Sequence, residues 1–243
     1  MVIPPPTLMK SKEQIRSETW HRLTVEKAAR FPGADGRIPN FIGAEACANI
    51  LAELPAWKKA RVVKINPDSP QRAVRQRALA EGKILYMPAP RLAEDKPFVE
   101  LDPERLKVSP YAASSIKGAF QHGRPVSLEE MKKIDFIVCG SVAVAPDGAR
   151  VGKGGGYSDL EYALLRERKK VGANTPIVTT VHPLQIVAER IPMTEHDIPL
   201  DAIVTPEKMT ILQRRYRKPR GIYWKLLPED KIAAIPVLSK SPR

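Results

Sequence analysis

The chain has 243 residues, 43% of them hydrophobic and 28% charged, enough for one large or two small domains with a real core. That balance excludes a disordered chain, and no apolar stretch approaches the ~20 residues of a membrane span. The formal net charge of +13 leaves two classes of partner open, nucleic acid and small polyanionic ligands. Met1 to Pro6 shows no basic region followed by a long apolar segment, so no signal peptide is expected. Cys47 and Cys139 sit in apolar helix-like and strand-like contexts and read as small buried residues of a reducing, cytoplasmic compartment.

Taken in chain order, a first helix begins after Ser11, which fits an N-cap with Gln14 three residues on. Ile15, Trp20, Leu23 and Ala28-Ala29 offer a core face. Lys12 and Arg16 lie four residues apart and so project from one side near the helix start. Two cations there repel each other and the helix dipole, which suits a bound anion; a solvated basic face is the alternative. A helix is expected over 44–54, ended by Pro55, then a strand over 61–65, a helix over 70–81 and a strand over 83–87. Strand, helix, strand in that span is a βαβ unit and implies a parallel sheet. Further strands are expected at 98–101, 175–181 and 201–205, and the apolar run 134–145 reads as extended and buried. The 24 prolines, about twice the usual ~5% share, indicate many short rigid connections. The expectation is one α/β domain with a mostly parallel sheet flanked by helices, its core at about 11–206 and a C-terminal extension over 207–243.

The stretch with most chemistry follows the turn Pro146-Asp147-Gly148-Ala149. Arg150 precedes the loop Gly152-Lys153-Gly154-Gly155-Gly156, and an amphipathic helix with a basic end follows Tyr157-Ser158-Asp159. Glycines let backbone N–H groups approach an anion, and a helix N-terminus adds partial positive charge. Arg150 and Lys153 add full charges, which suits a polyphosphate. The alternative is a surface turn, since no Gly-Lys-Ser or Gly-Lys-Thr closes the loop.

Arg150-Val151-Gly152-Lys153-Gly154-Gly155-Gly156-Tyr157-Ser158-Asp159 resembles the Arg-Leu-Gly-x-Gly-x-Gly-Tyr-Tyr-Asp loop of 5-formyltetrahydrofolate cyclo-ligases, the methenyltetrahydrofolate synthetases. Ser158 stands for the second tyrosine and Val151 for leucine. Lys12 and Arg16 match that family's opening Lys-x-x-x-Arg helix, and His196-Asp197 its closing segment. Asp68 and Gln71 fall at the positions of its Glu-x-x-Thr segment, both as departures. The longer C-terminal region resembles a divergent branch, the methenyltetrahydrofolate synthetase domain-containing proteins.

The resemblance implies an ATP- and magnesium-dependent ligase acting on 5-formyltetrahydrofolate. It implies Lys12, Arg16, Arg150, Gly152, Lys153, Gly154, Gly155, Gly156 and Tyr157 at ATP, with Arg150, Lys153 and Tyr157 also catalytic. It further implies Asp68 and Tyr157 at the folate, and Asp159 with Asp197 at Mg2+. His196 reads as structural, because the four histidines show no ligand spacing. Asn66-Pro67-Asp68-Ser69-Pro70 is equally good turn chemistry without a ligand. Two alternatives stay open: a non-catalytic nucleotide-pocket protein with an RNA-binding surface, and an ATP-dependent enzyme on another pterin or formyl compound.

Overall fold

A computed structural model of the chain describes residues 9–213 and 215–240. Ser11 and Gln14 form a reciprocal capping box that starts helix α1 (Lys12–Val25), with Ile15, Thr19 and Leu23 facing inward. Ala28 and Ala29 fall past its end yet still pack with Leu23 and Trp20 as expected, and Ala29 also bridges to Phe41. The expected helix at 44–54 is two elements, α2 (Ala44–Ala52) and α3 (Pro55–Lys59), because Pro55 ends one and occupies the first turn of the next.

The inner strands of the central sheet are short, buried and mostly apolar, as expected of strands covered on both faces. The sheet comprises β1 (Val62–Ile65), β2 (Ile84–Pro88), β3 (Phe98–Leu101), β4 (Arg124–Val126), β5 (Phe136–Cys139), β8 (Ile177–Thr180), β9 (Ala202–Val204) and β10 (Met209–Ile211). Only the edge strands β4 and β10 carry exposed positions beyond one residue. Their order is β10-β9-β8-β5-β1-β2-β3-β4. The five strands β9, β8, β5, β1 and β2 are parallel, while β3, β4 and β10 add antiparallel edges.

Alternation along the strands divides the core in two. Val63, Ile65, Leu85, Met87, Phe136 and Val138 pack with α2, α3 and α4 (Arg72–Ala80) on one face. Val62, Tyr86, Ile137, Cys139 and Ile177 pack on the other with α7 (Tyr157–Glu167). Ile232, Ile235 and Leu238, from α8 (Glu229–Ala234), α9 (Pro236–Ser239) and the residue joining them, are buried in that second cluster. The sheet itself continues past residue 206 through β10. Two short helices, α5 (Pro110–Ala113) and α6 (Ile116–His122), precede β4.

The run 134–145 is not one strand. The chain leaves the sheet at Gly140 and makes a separate hairpin of β6 (Ala143–Val144) and β7 (Arg150–Val151). Close packing sets the break: a Cβ at Gly140 would lie 2.8 Å from Asp68 Oδ2 and 2.9 Å from Ile38. Both cysteines are buried and free. Among the described residues no helix is long and apolar enough to cross a membrane.

Candidate functional site

From β1 the chain proceeds to β2 on one side, whereas β5 lies on the other, so strand order reverses between β1 and β5. Open α/β sheets place ligand crevices at the carboxyl ends of the strands flanking such a point. A cleft of about 530 Å³ opens here. Asn66 and Asp68 after β1, Pro88 to Arg91 at the end of β2, and the glycine loop with the first turn of α7 line it. The sequence-predicted loop and the predicted folate carboxylate therefore share one cavity, although 82 or more residues separate them.

The loop is tightly shaped. Gly154 (φ +110°) and Gly156 (φ +65°) occupy left-handed conformations that side chains resist, and Gly156 caps α7. Arg16 reaches the loop from α1, its Nε donating to the Gly152 carbonyl at 2.7 Å. Lys153 is exposed at the cleft, with no hydrogen bond or ion pair among the described residues. Tyr157 also lines the cleft. Arg150 is 4% exposed and already committed: Nη1 donates to the Gly140 carbonyl at 2.9 Å and Nη2 to Asp159 at 3.2 Å. It thus braces the loop against the end of β5.

Among the described residues no other side chain hydrogen-bonds the Asp68 carboxyl, which only its own backbone N–H meets, and burial raises its pKa against the opposing pull of Lys153, Arg75 and Lys64. An underpaired carboxyl held in a cleft is an arrangement that folding alone does not favour. The turn presenting it rests on a fully buried arginine. Arg75 donates to the carbonyls of Asn66, Asp68 and Ser114, and burial lowers its pKa to about 9. Gln71, beside it in sequence, points away into the core and donates to Thr180 Oγ1 at 3.0 Å.

The two aspartates assigned to magnesium lie close together, since Ile198 N, next to Asp197, donates to Asp159 Oδ1 at 3.0 Å. Each already faces a cation, Asp159 facing Arg150 and Asp197 facing Lys12 at 2.6 Å. Asp197 also accepts from the Thr194 N–H and hydroxyl at 2.6 and 2.7 Å. Burial raises its pKa, but the Lys12 and Thr194 bonds outweigh that and hold it below 3.8. Asp159 is less saturated: among the described residues its Oδ2 has one hydrogen bond, at 3.3 Å from Arg150, and it borders the cleft. Among the described residues no three His, Cys, Asp or Glu side chains are grouped to hold a metal ion by themselves. His196 is exposed and meets Thr194 Oγ1.

Residue-by-residue reasoning missed a buried polar chain beneath the cleft. Lys64 of β1 pairs with Glu161 of α7 and donates to Asn66 Oδ1 at 2.7 Å, and Asn66 Nδ2 donates to Ser158 Oγ at 2.8 Å. Burial raises the Glu161 pKa while Lys64 opposes the rise. The signal was present as single charges inside apolar runs, Val62-Val63-Lys64-Ile65 and Leu160-Glu161-Tyr162. Ser158 is thereby explained: it completes this chain from the position where the resembling motif has tyrosine.

An α/β protein with a glycine loop and a carboxyl group facing one switch-point cleft is the class these observations define. The chain belongs to the 5-formyltetrahydrofolate cyclo-ligase family, whose model matches residues 8–206. It is 38% identical over 232 residues to the methenyltetrahydrofolate synthase domain-containing protein of Mus musculus, covering 94% of this chain and 62% of that protein. For the Danio rerio protein of the same name the values are 34% over 235 residues, 95% and 61%. The chain thus spans about three fifths of the length of these relatives. Among solved structures, the Aquifex aeolicus 5,10-methenyltetrahydrofolate synthetase superposes with a TM-score of 0.52 at 26% identity, covering 83% of this chain and 93% of that one.

Proposed function

We propose that this cleft binds ATP and 5-formyltetrahydrofolate and that the chain converts them to 5,10-methenyltetrahydrofolate, ADP and phosphate. The observation that carries the reading is the shared cavity, with an exposed Lys153 in the glycine loop and an underpaired Asp68 across from it. Family membership and the similarity to the Aquifex 5,10-methenyltetrahydrofolate synthetase support the same reaction.

The formyl oxygen attacks the γ-phosphorus and ADP departs, leaving a phosphorylated imidate. N10 then attacks the activated carbon, its proton passes to solvent, and phosphate leaves with the former formyl oxygen. Neither step needs a covalent bond to the protein; positioning and charge stabilisation suffice. Lys153 and the loop N–H groups receive the phosphates, with Arg16 behind the loop. Arg150 acts through the loop and Asp159 rather than as a free phosphate ligand. Tyr157 borders both ligands, and Asp68 orients the pterin through its ring and amino N–H groups.

Magnesium bound with ATP neutralises phosphate charge. Asp159 fits that ion, because one of its oxygens retains acceptor capacity. Asp197, saturated by Lys12 and Thr194, instead orients Lys12 in this reading.

The test is the rise of methenyltetrahydrofolate absorbance from 5-formyltetrahydrofolate, with and without ATP. ATP-dependent formation is expected, with Lys153→Ala raising the KM for ATP about tenfold. Absence of product from the folded wild-type chain rejects the reaction.

A further inference from the structure

The family match ends at residue 206, yet the chain beyond it returns to the glycine loop. Pro228 starts α8, and the buried Ile232, Ile235 and Leu238 fix that segment against the face of the sheet that carries α7. Ile222 N donates to Glu167 of α7 at 3.0 Å, and Lys240 pairs with Asp95. This docking brings Lys231 to the loop. Its Nζ donates to the Gly155 carbonyl at 2.7 Å and lies 4.9 Å from the centre of the Tyr157 ring. A Cβ on Gly156 would stand only 3.2 Å from the same nitrogen.

Two physical consequences follow. A loop that receives phosphate must present N–H groups and turn its carbonyls elsewhere. Arg16 holds the Gly152 carbonyl from α1, and Lys231 holds the Gly155 carbonyl from α8, so the loop is pinned by cations from both ends of the chain. Because the peptide is planar and trans, fixing the Gly155 carbonyl towards α8 turns the Gly156 N–H the opposite way. Second, no carboxylate forms an ion pair with Lys231 among the described residues, so its charge adds to the positive potential at the loop. The Tyr157 ring face stabilises the ammonium without neutralising it. Burial lowers the Lys231 pKa, with Asp159 and Asp230 opposing.

We propose that the C-terminal extension completes the nucleotide site, with Lys231 as a positioning residue that holds the glycine loop in its polyphosphate-receiving shape. The proposal rests on the ATP-binding reading above and extends it to residues outside the family match.

Calorimetric titration of ATP, ADP and AMP into the wild-type chain, Lys231→Met and Lys231→Arg tests it, with Lys153→Ala alongside. Lys231→Met keeps the alkyl stem but loses the donor and the charge. ATP affinity is expected to fall about tenfold, near 1.4 kcal/mol, AMP affinity less than threefold, and Lys231→Arg to recover most of the ATP loss. ATP affinity unchanged in Lys231→Met while Lys153→Ala weakens it overturns the role of the extension and leaves the ATP site standing. Equal losses for all three nucleotides also overturn it, since a general structural role predicts that pattern. A wild-type chain that binds no ATP removes the underlying reading and the proposal together. Should Lys231→Met fail to fold, acetylation of Lys231 in the wild-type chain decides by mass spectrometry. Protection by ATP and not by AMP is expected, and labelling indifferent to ATP rejects the proposal.

Discussion

Asp197 and Asp68 are two carboxylates of opposite design, and their variants should behave in opposite ways. Asp197 accepts from Lys12 and twice from Thr194, and its pKa is depressed below 3.8 despite burial. Asp197→Asn should cost about 2 kcal/mol of stability at pH 7, the range for hydrogen bonds to a charged group. A depressed folded pKa stabilises fully above the unfolded value near 3.8 and loses that contribution as pH falls through the folded value. The stability gap to wild type should therefore narrow between pH 5 and pH 3 in urea unfolding; a constant gap contradicts the assignment. Asp68 has a raised pKa and, among the described residues, no hydrogen bond from another side chain, so its ionised form weakens the fold above the unfolded pKa. Asp68→Asn should leave the melting temperature unchanged or higher at pH 7, while raising the KM for the folate about tenfold or more. A clear drop in melting temperature with normal KM makes Asp68 a turn residue. The sequence shows both aspartates but not this contrast, which depends on Lys12 lying 185 residues from Asp197 and on Gly140 lying against Asp68.

Elements with a strong local period were legible, and those shaped by distant contacts were not. Helix α1 starts at its predicted cap, and β1, α4 and β2 fall within the predicted βαβ unit, because capping chemistry and continuous apolar runs are local signals. The hairpin β6–β7 was lost inside an apolar run, since nothing in Cys139-Gly140-Ser141-Val142 announces that Asp68 and Ile38 crowd Gly140. Strands β4 and β10 have only three residues each, too few for an alternation to register. The glycine run was legible as a loop but its anchors were not. Gly156 carries both features at once, a left-handed cap of α7 and a close approach to Lys231. Gly156→Ala should cost about 1–2 kcal/mol from backbone strain and weaken ATP binding by displacing the Lys231 ammonium. Thermal unfolding with and without ATP measures both; an alanine variant with wild-type ATP stabilisation shows that this approach has no bearing on the nucleotide.

At the scale of the whole molecule, net charge is the property most easily misread from composition. Arg75, one of three arginines close together at positions 72, 75 and 77, is 1% exposed and staples a turn. Lys64, Lys83, Arg150 and Lys218 are likewise buried in structural pairs or on carbonyls. Acids are buried too, Glu100, Glu161 and Asp197 among them, so the outside remains strongly positive. What changes is where the charge does its work. Arg16 and Lys231 hold loop carbonyls, and Lys153 stands open at the cleft, an arrangement scaled to a few phosphates rather than to a long backbone. A surface that attracts polyanions only by its mean field binds RNA weakly and without sequence preference, because affinity then comes from counterion release. RNA affinity should therefore fall roughly tenfold or more as salt rises from about 50 to about 200 mM, and on the proposed reading, with ATP in the cleft, ATP should leave it nearly unchanged. Fluorescence anisotropy with two unrelated RNA sequences, each titrated with and without ATP, separates the readings. Tight binding at physiological salt with a clear preference for one sequence favours the RNA-binding alternative. Competition by ATP at its own dissociation constant places RNA in the cleft, and then Lys153 and the glycine loop would serve nucleic acid rather than a small-molecule ligase.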